Sequence, residues 1–199
     1  KTGKEYAVST NSDIYLYNVE TGKTINFTAG MIGYDTNPVF SPDGKLLAWE
    51  SMERDGYEAD KNRLFVANLE TGEKKDYSEK FDQNVQGLNW CADSKTIYFI
   101  SDIHATDEIY KLGLDGETIE RITNGVHNYQ SVTPLGDKLL AQKVSMSQPA
   151  ELYIVEKETG NERPLTNINK SLLDQLTMGK VEKRWMETTD GKQMAVWVI

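Results

Sequence analysis

The chain has 199 residues, 31 acidic against 22 basic, with 38% hydrophobic side chains, which is enough for one large domain or two small ones. The formal charge of −9 comes with no Lys/Arg cluster to neutralise phosphates or rest on an anionic bilayer. The apolar runs at 46–49, 97–100 and 195–199 fall far short of the roughly 20 residues a spanning helix needs, so neither nucleic acid nor a membrane is expected as a partner.

The single cysteine, Cys91, leaves no internal disulfide framework and no cysteine-based zinc site. No metal or cofactor is expected. The opening KTGKEYAVST has no apolar h-region, so compartment is not legible there.

Read in chain order, the sequence repeats. The phrases YLYNVETGK (15–23), LFVANLETGEK (64–74), IYKLGLDGET (109–118) and LYIVEKETGNE (152–162) set turn glycines Gly22, Gly72, Gly116 and Gly160 at intervals of 50, 44 and 44. A second phrase interleaves: NPVFSPDGKLLAWES (37–51), GLNWCADSKTIYFIS (87–101) and SVTPLGDKLLAQKVS (131–145), with a truncated copy, TGKEYAVST, at 2–10. Each unit holds short runs rich in Val, Ile, Leu and aromatic residues, separated by Asp-Gly, Thr-Gly or Asp-Ser turns, the signature of antiparallel hairpins.

Four strands, A to D, every 40 to 50 residues predict β-propeller blades, because a lone four-stranded sheet buries both faces only by stacking on its neighbours. The expected fold is all-β, a partial β-propeller of about four blades. Blade one (about 1–28) lacks A and has B near 5–10, C near 13–19 and D near 24–28; the others span about 37–77, 86–123 and 129–166. This is fewer than a closed ring requires, so the sequence reads as a piece of a larger propeller. The stretch 171–179 is read as a hinge.

The phrases SPDGKLLAWES and LFVANLETGEK resemble the propeller repeat of the prolyl oligopeptidase family of serine peptidases, and also that of TolB-type periplasmic propellers. The segments 49–73, 145–173 and 181–199 together are similar to the acylaminoacyl-peptidase and dipeptidyl-peptidase-5-like branch of the former. In that branch the last blade ends in an arginine, a leucine and a threonine-asparagine step, matched by Arg163, Leu165, Thr166 and Asn167. A linker follows, then the hairpin that opens an α/β-hydrolase domain, matched by Trp185, Asp190, Gly191 and Trp197; Thr188 and Ala195 depart from the pattern.

The resemblance implies a propeller at 1–166, a linker at 167–180 and the start of the hydrolase domain at 181–199. The parent would be a serine exopeptidase acting on short peptides, with the triad downstream and the propeller restricting entry and placing the substrate's N-terminal end. The residues agree that the triad is elsewhere: no serine here has the flanking glycines of a Gly-x-Ser-x-Gly elbow. Export to a bacterial periplasm is implied by resemblance only, with a cytoplasmic location the alternative. A TolB-like scaffold for protein partners is one rival function, and a propeller glycosidase using Asp55 and Glu58 is another.

Antiparallel order puts the B-to-C and D-to-A loops on one face and the A-to-B and C-to-D turns on the other. The chain leaves the last blade after strand D, so a following domain is expected on the first of these faces. Lys45 to Gly72 spans 27 residues against 21 for Lys95 to Gly116 and 22 for Lys138 to Gly160, which places an insertion in one B-to-C loop, about Met52 to Asn62. Insertions in repeat arrays mark binding faces.

Within that loop Arg54, Tyr57, Glu58 and Asp60 are the candidate substrate-binding residues. A carboxylate there, Glu58 first, can take a peptide's α-ammonium, and the arginine can hold a carbonyl or the carboxylate. The competing reading is a solvated charged loop in which Arg54 pairs structurally with a neighbouring acid. His104 and His127 fall in a B-to-C and a D-to-A loop. Cys91 reads as a small buried hydrophobe, and Trp49, Trp90, Phe40 and Phe99 as blade-to-blade packing.

Overall fold

The computed structural model describes residues 8–199. Their regular secondary structure is almost wholly strand, with a single turn of helix, α1 (Lys170–Leu173). Two compact units divide the chain, residues 1–97 with 113–119 and residues 98–112 with 120–199.

In the first unit, β1 (Tyr15–Tyr17) pairs with β2 (Thr24–Asn26), followed by the four-stranded antiparallel blade β3 (Asp35–Phe40), β4 (Leu46–Ser51), β5 (Arg63–Asn68) and β6 (Lys74–Asp76). The third blade runs β7 (Gln86–Trp90), β8 (Thr96–Ile103), β9 (Thr106–Gly113) and β10 (Thr118–Arg121) in sequence order, and the division between units passes through it. The second unit continues with β11 (Asn128–Leu135), β12 (Lys138–Ser145), β13 (Gln148–Glu156) and β14 (Glu162–Pro164), then the hairpin β15 (Glu182–Glu187) and β16 (Gln193–Val198). The expected strand B of blade one lies outside the described residues at 5–7, and 8–10 form no strand.

The second strands of the second and third blades are buried on both faces, so their burial runs on without alternating. In β4, Leu47 to Ser51 are all buried, as are Ile97 to Ser101 of β8. Trp49 anchors the first unit: fully buried, it stacks on Phe65 at 5.3 Å, meets Phe27 edge to face at 5.8 Å, and donates Nε1–H to Asp35 Oδ1 at 3.1 Å. Burying so large a ring with its one donor satisfied is the packing unit expected of a blade interface.

Blades are joined by a repeated backbone step. Ser12 bridges Tyr34 in parallel, Val85 N–H donates to Asn62 O at 2.9 Å, and Asn128 pairs in parallel with Asp107. Each joins the start of one blade's third strand to the segment that begins the next blade.

A second repeated device closes each blade's outer strand onto its third. A hydroxyl just past the fourth strand accepts a backbone N–H fourteen residues earlier: Thr28 from Ile14, Ser78 from Leu64 and Thr123 from Ile109, all buried, and Thr166 from the more exposed Leu152, at 2.8–2.9 Å. In the last two blades the same hydroxyl donates to a buried glutamate, Glu108 or Glu151. The glutamate also takes the N–H of Gly125, or those of Ile168 and Asn169, in the segment leaving the blade. Satisfying donors this way lets the chain turn out of the sheet without orphaned polar groups.

Three local expectations are corrected. Phe40 is 55% exposed rather than packed between blades: it borders an open hollow beside Tyr15, Tyr17 and Ile25. Cys91 is half-buried just past β7, where the chain already turns. The turn glycines Gly22, Gly72 and Gly160 have positive φ, but at the third turn the left-handed residue is Glu117 (φ 50°) and not Gly116. Gly160 is fixed sterically as well: a Cβ there would lie 2.0 Å from Ile122 O.

Candidate functional site

Two places on the B-to-C and D-to-A loops carry functional groups, one in each unit.

In the first unit the long loop spans the residues between Ser51 and Arg63, as the spacing predicts. Asp60 accepts the backbone N–H groups of Glu53 (3.1 Å) and Arg54 (2.9 Å) and the Arg54 Nη2 donor at 2.8 Å. The arginine bond, ahead of the backbone donors, holds the Asp60 carboxyl well below its ordinary range. The guanidinium also lies 4.1 Å from the centroid of the Tyr57 ring. Arg54, Tyr57 and Asp60 therefore form one self-satisfied cluster that shapes the loop.

Glu58 stands apart from that cluster. It is exposed and lines a hollow of about 420 Å³ with Ser9, Thr10, Tyr34 and Met52. The loop is braced beneath it: Asp55 Oδ1 accepts Ser9 Oγ–H at 2.8 Å and Asn11 N–H at 3.0 Å, and Gly56 N–H donates to Thr10 Oγ at 2.9 Å. Of the four residues singled out by sequence, three are brought together and the fourth faces open space. Asp55, occupied by Ser9 and Asn11, is not paired with Glu58.

In the second unit the C-terminal hairpin rests on the loop face. The β8–β9 connection is a two-residue turn, His104 (φ 50°) and Ala105 (φ 63°), a type I′-like geometry that usually selects Asn-Gly. The His104 ring meets Trp185 of β15 edge to face, centroids 5.0 Å apart at 82°, and Lys183 Nζ donates to His104 O at 3.4 Å. The opposing strand places Trp197 across from Lys183. This is the face on which strand order predicts a following domain.

Between hairpin and loops lies a cavity of about 330 Å³ bounded by Ala105, residues 126–128, residues 144–146 and Trp197. Its His127 ring is held from behind. Nε2 is 3.4 Å from Oε2 of the fully buried Glu108, outside hydrogen-bonding geometry, and the ring meets Tyr129 edge to face at 4.8 Å. Tyr129 in turn donates to Glu162 at 2.5 Å, and Glu162 pairs with Lys143. Burial, reinforced by the Glu162 carboxylate, pushes the Tyr129 hydroxyl far above its ordinary pKa, so it stays a donor.

Sequence reasoning placed His127 in its loop but missed Glu108, Thr123, Gly125 and the cavity role of Trp197. One signal was available: Thr28, Ser78, Thr123 and Thr166 recur at 50, 45 and 43 residues, in step with the turn glycines.

Residues 5–176 match the profile of the TolB beta propeller domain, PD40. The whole chain is 48% identical over 199 residues to dipeptidyl-peptidase 5 of Porphyromonas gingivalis, of which it spans 29%. In fold it is similar to the acylaminoacyl peptidase of Pyrococcus horikoshii (TM-score 0.73, 21% identity, 93% of this chain and 27% of that one). It is also similar to TolB from Acinetobacter baumannii (TM-score 0.63, 16% identity, 82% and 39%). The resemblance read from the repeats and from the C-terminal segment, to the propeller portion of a prolyl oligopeptidase-family peptidase, agrees with these findings.

Proposed function

The chain belongs to the TolB beta propeller domain family, and we propose on that premise that it is the noncatalytic propeller part of a longer serine exopeptidase that cleaves short peptides. In this reading residues 1–166 are blades, 167–180 a linker, and 181–199 the first hairpin of an α/β-hydrolase domain that supplies the serine, aspartate and histidine. The observation that carries it is the seating of Trp185 on His104: the segment that would open the catalytic domain already lies on the face formed by B-to-C and D-to-A loops. Extensive identity to a dipeptidyl-peptidase 5 supports the same assignment.

A nucleophilic serine in that domain would form an acyl-enzyme with the peptide. The propeller's part is to limit entry to short chains and to hold the N-terminal end. Glu58, exposed beside a hollow and outside the Arg54–Asp60 cluster, is the carboxylate placed to take an α-ammonium.

A serine-directed fluorophosphonate probe tests the reading. The intact protein should be labelled, and the 199-residue chain alone should not. An intact, folded protein that ignores the probe would favour a TolB-like scaffold instead, a reading supported by the likeness to TolB.

A further inference from the structure

The inserted loop of the second blade is closed on itself and then fastened to its neighbour by three consecutive residues. Asp60 turns back to the loop's entry and takes the N–H groups of Glu53 and Arg54. Asn62 turns forward to the segment that leaves the blade: its N–H donates to Asn84 Oδ1 at 2.9 Å and its Nδ2 to Val85 O at 2.6 Å. Between them the Lys61 side chain crosses to the same segment, and it does so through its charge.

Lys61 Nζ donates to Ser78 O at 2.9 Å and Phe81 O at 3.1 Å, with Glu79 O at 3.5 Å. An ammonium has three N–H donors and no acceptor, so a turn that aims three carbonyls at one point is matched to it, and bonds from a charged donor are the stronger kind. The turn itself is not special to this blade, since Phe81 N–H donates to Ser78 O at 2.9 Å as Met31 N–H does to Thr28 O. The lysine is particular to it. Counting three residues back from Ile14, Leu64, Ile109 and Leu152 gives Asn11, Lys61, Thr106 and Pro149, and the ammonium falls in the blade that carries the insertion.

We propose that Lys61 is a positioning residue: its ammonium, seated in the carbonyl cradle of residues 78–81, fixes where the inserted loop stands on the blade and so where Glu58 presents its carboxylate. The Arg54–Asp60 pair keeps the loop closed, and Lys61 keeps the closed loop in place. Glu58 lies within the stretch that this pair closes, three residues before Lys61. The bearing on a peptide's α-ammonium rests on the peptidase reading; the anchoring of the loop does not.

The test is Lys61→Met in the intact protein, which keeps the apolar stem of the side chain and removes the ammonium; Lys61→Gln takes its place if that variant fails to fold. Hydrogen exchange at the Glu53, Arg54 and Phe81 amides should quicken severalfold, with exchange in β4 and β5 unchanged. KM for unblocked peptides should rise severalfold, that for blocked peptides should rise less, and kcat should hold. In Lys61→Ala, propylammonium, which replaces the atoms removed, should slow the exchange again, and propan-1-ol should not. Unchanged exchange in a folded variant, or equal restoration by the alcohol, overturns the role of the ammonium. Faster exchange with KM unchanged, or raised equally for both classes of peptide, overturns the link to Glu58. An intact protein that fluorophosphonate does not label would sink the peptidase reading, and the exchange measurements would still decide whether Lys61 anchors the loop.

Discussion

His104 and Trp185 lie 81 residues apart, one in a blade turn and the other in the C-terminal hairpin, yet their rings meet edge to face at 5.0 Å. The contact is exposed, with Trp185 about half accessible, and an edge-to-face aromatic pair contributes about 0.5–1.5 kcal/mol beyond area burial. Trp185→Ala should therefore leave the blades folded while loosening the hairpin. Hydrogen exchange at residues 182–198 should quicken severalfold, with exchange in β12 and β13 unchanged.

The hydroxyl closure of the blades is expected to be individually costly. Thr123→Val removes both the acceptor for buried Ile109 N–H and the donor to Glu108, and an orphaned buried polar group costs about 1–3 kcal/mol. Thr123→Ser should restore nearly all of it, since Ser78 fills the same place in the second blade. Denaturant melts of the two variants read the difference.

Two buried carboxylates should tilt stability with pH in opposite directions. The Thr166 hydroxyl, then the Ile168 and Asn169 N–H groups, hold Glu151 below its ordinary value of 4.5. Its contribution is complete above pH 4.5 and is lost as pH falls through the lower folded value. Burial pushes Asp35 above 3.8, against the opposing bonds from Ser51, Trp49 and Thr28; its contribution is present below 3.8 and lost as pH rises through the folded value. Glu151→Gln should flatten the acid limb of a melting-temperature profile below pH 4.5, and Asp35→Asn should steepen the profile above pH 3.8.

On the proposed peptidase reading, Glu58→Gln in the intact protein should raise KM for peptides with a free N-terminus more than for blocked ones, with kcat little changed. Arg54→Ala should disorder the loop through loss of the Asp60 and Tyr57 contacts and raise KM for both. Equal effects of Glu58→Gln on free and blocked peptides would remove the ammonium-anchor role.

The blade architecture was legible because turn glycines and apolar runs recur, and each run must be a strand whatever surrounds it. The inserted loop could be located by counting alone. What the loop does was less legible: Arg54, Tyr57, Glu58 and Asp60 have similar chemistry in the sequence, and only three-dimensional packing separates the satisfied trio from Glu58. The cavity was hidden for a different reason. Glu108, the Gly125–His127 loop and Trp197 come from three separate segments, and each has an ordinary structural explanation until strand pairing brings them together. Phe40 misled because an apolar residue in a strand reads the same on a buried or an exposed face.

The most direct measurement is mass spectrometry of short, unblocked peptides incubated with the intact protein. Release of N-terminal dipeptides, abolished by prior fluorophosphonate treatment and absent with the 199-residue chain alone, is the expected result. A folded intact protein that releases no peptide fragments, or hydrolysis by this chain by itself, would contradict the assignment of these blades to a peptidase propeller.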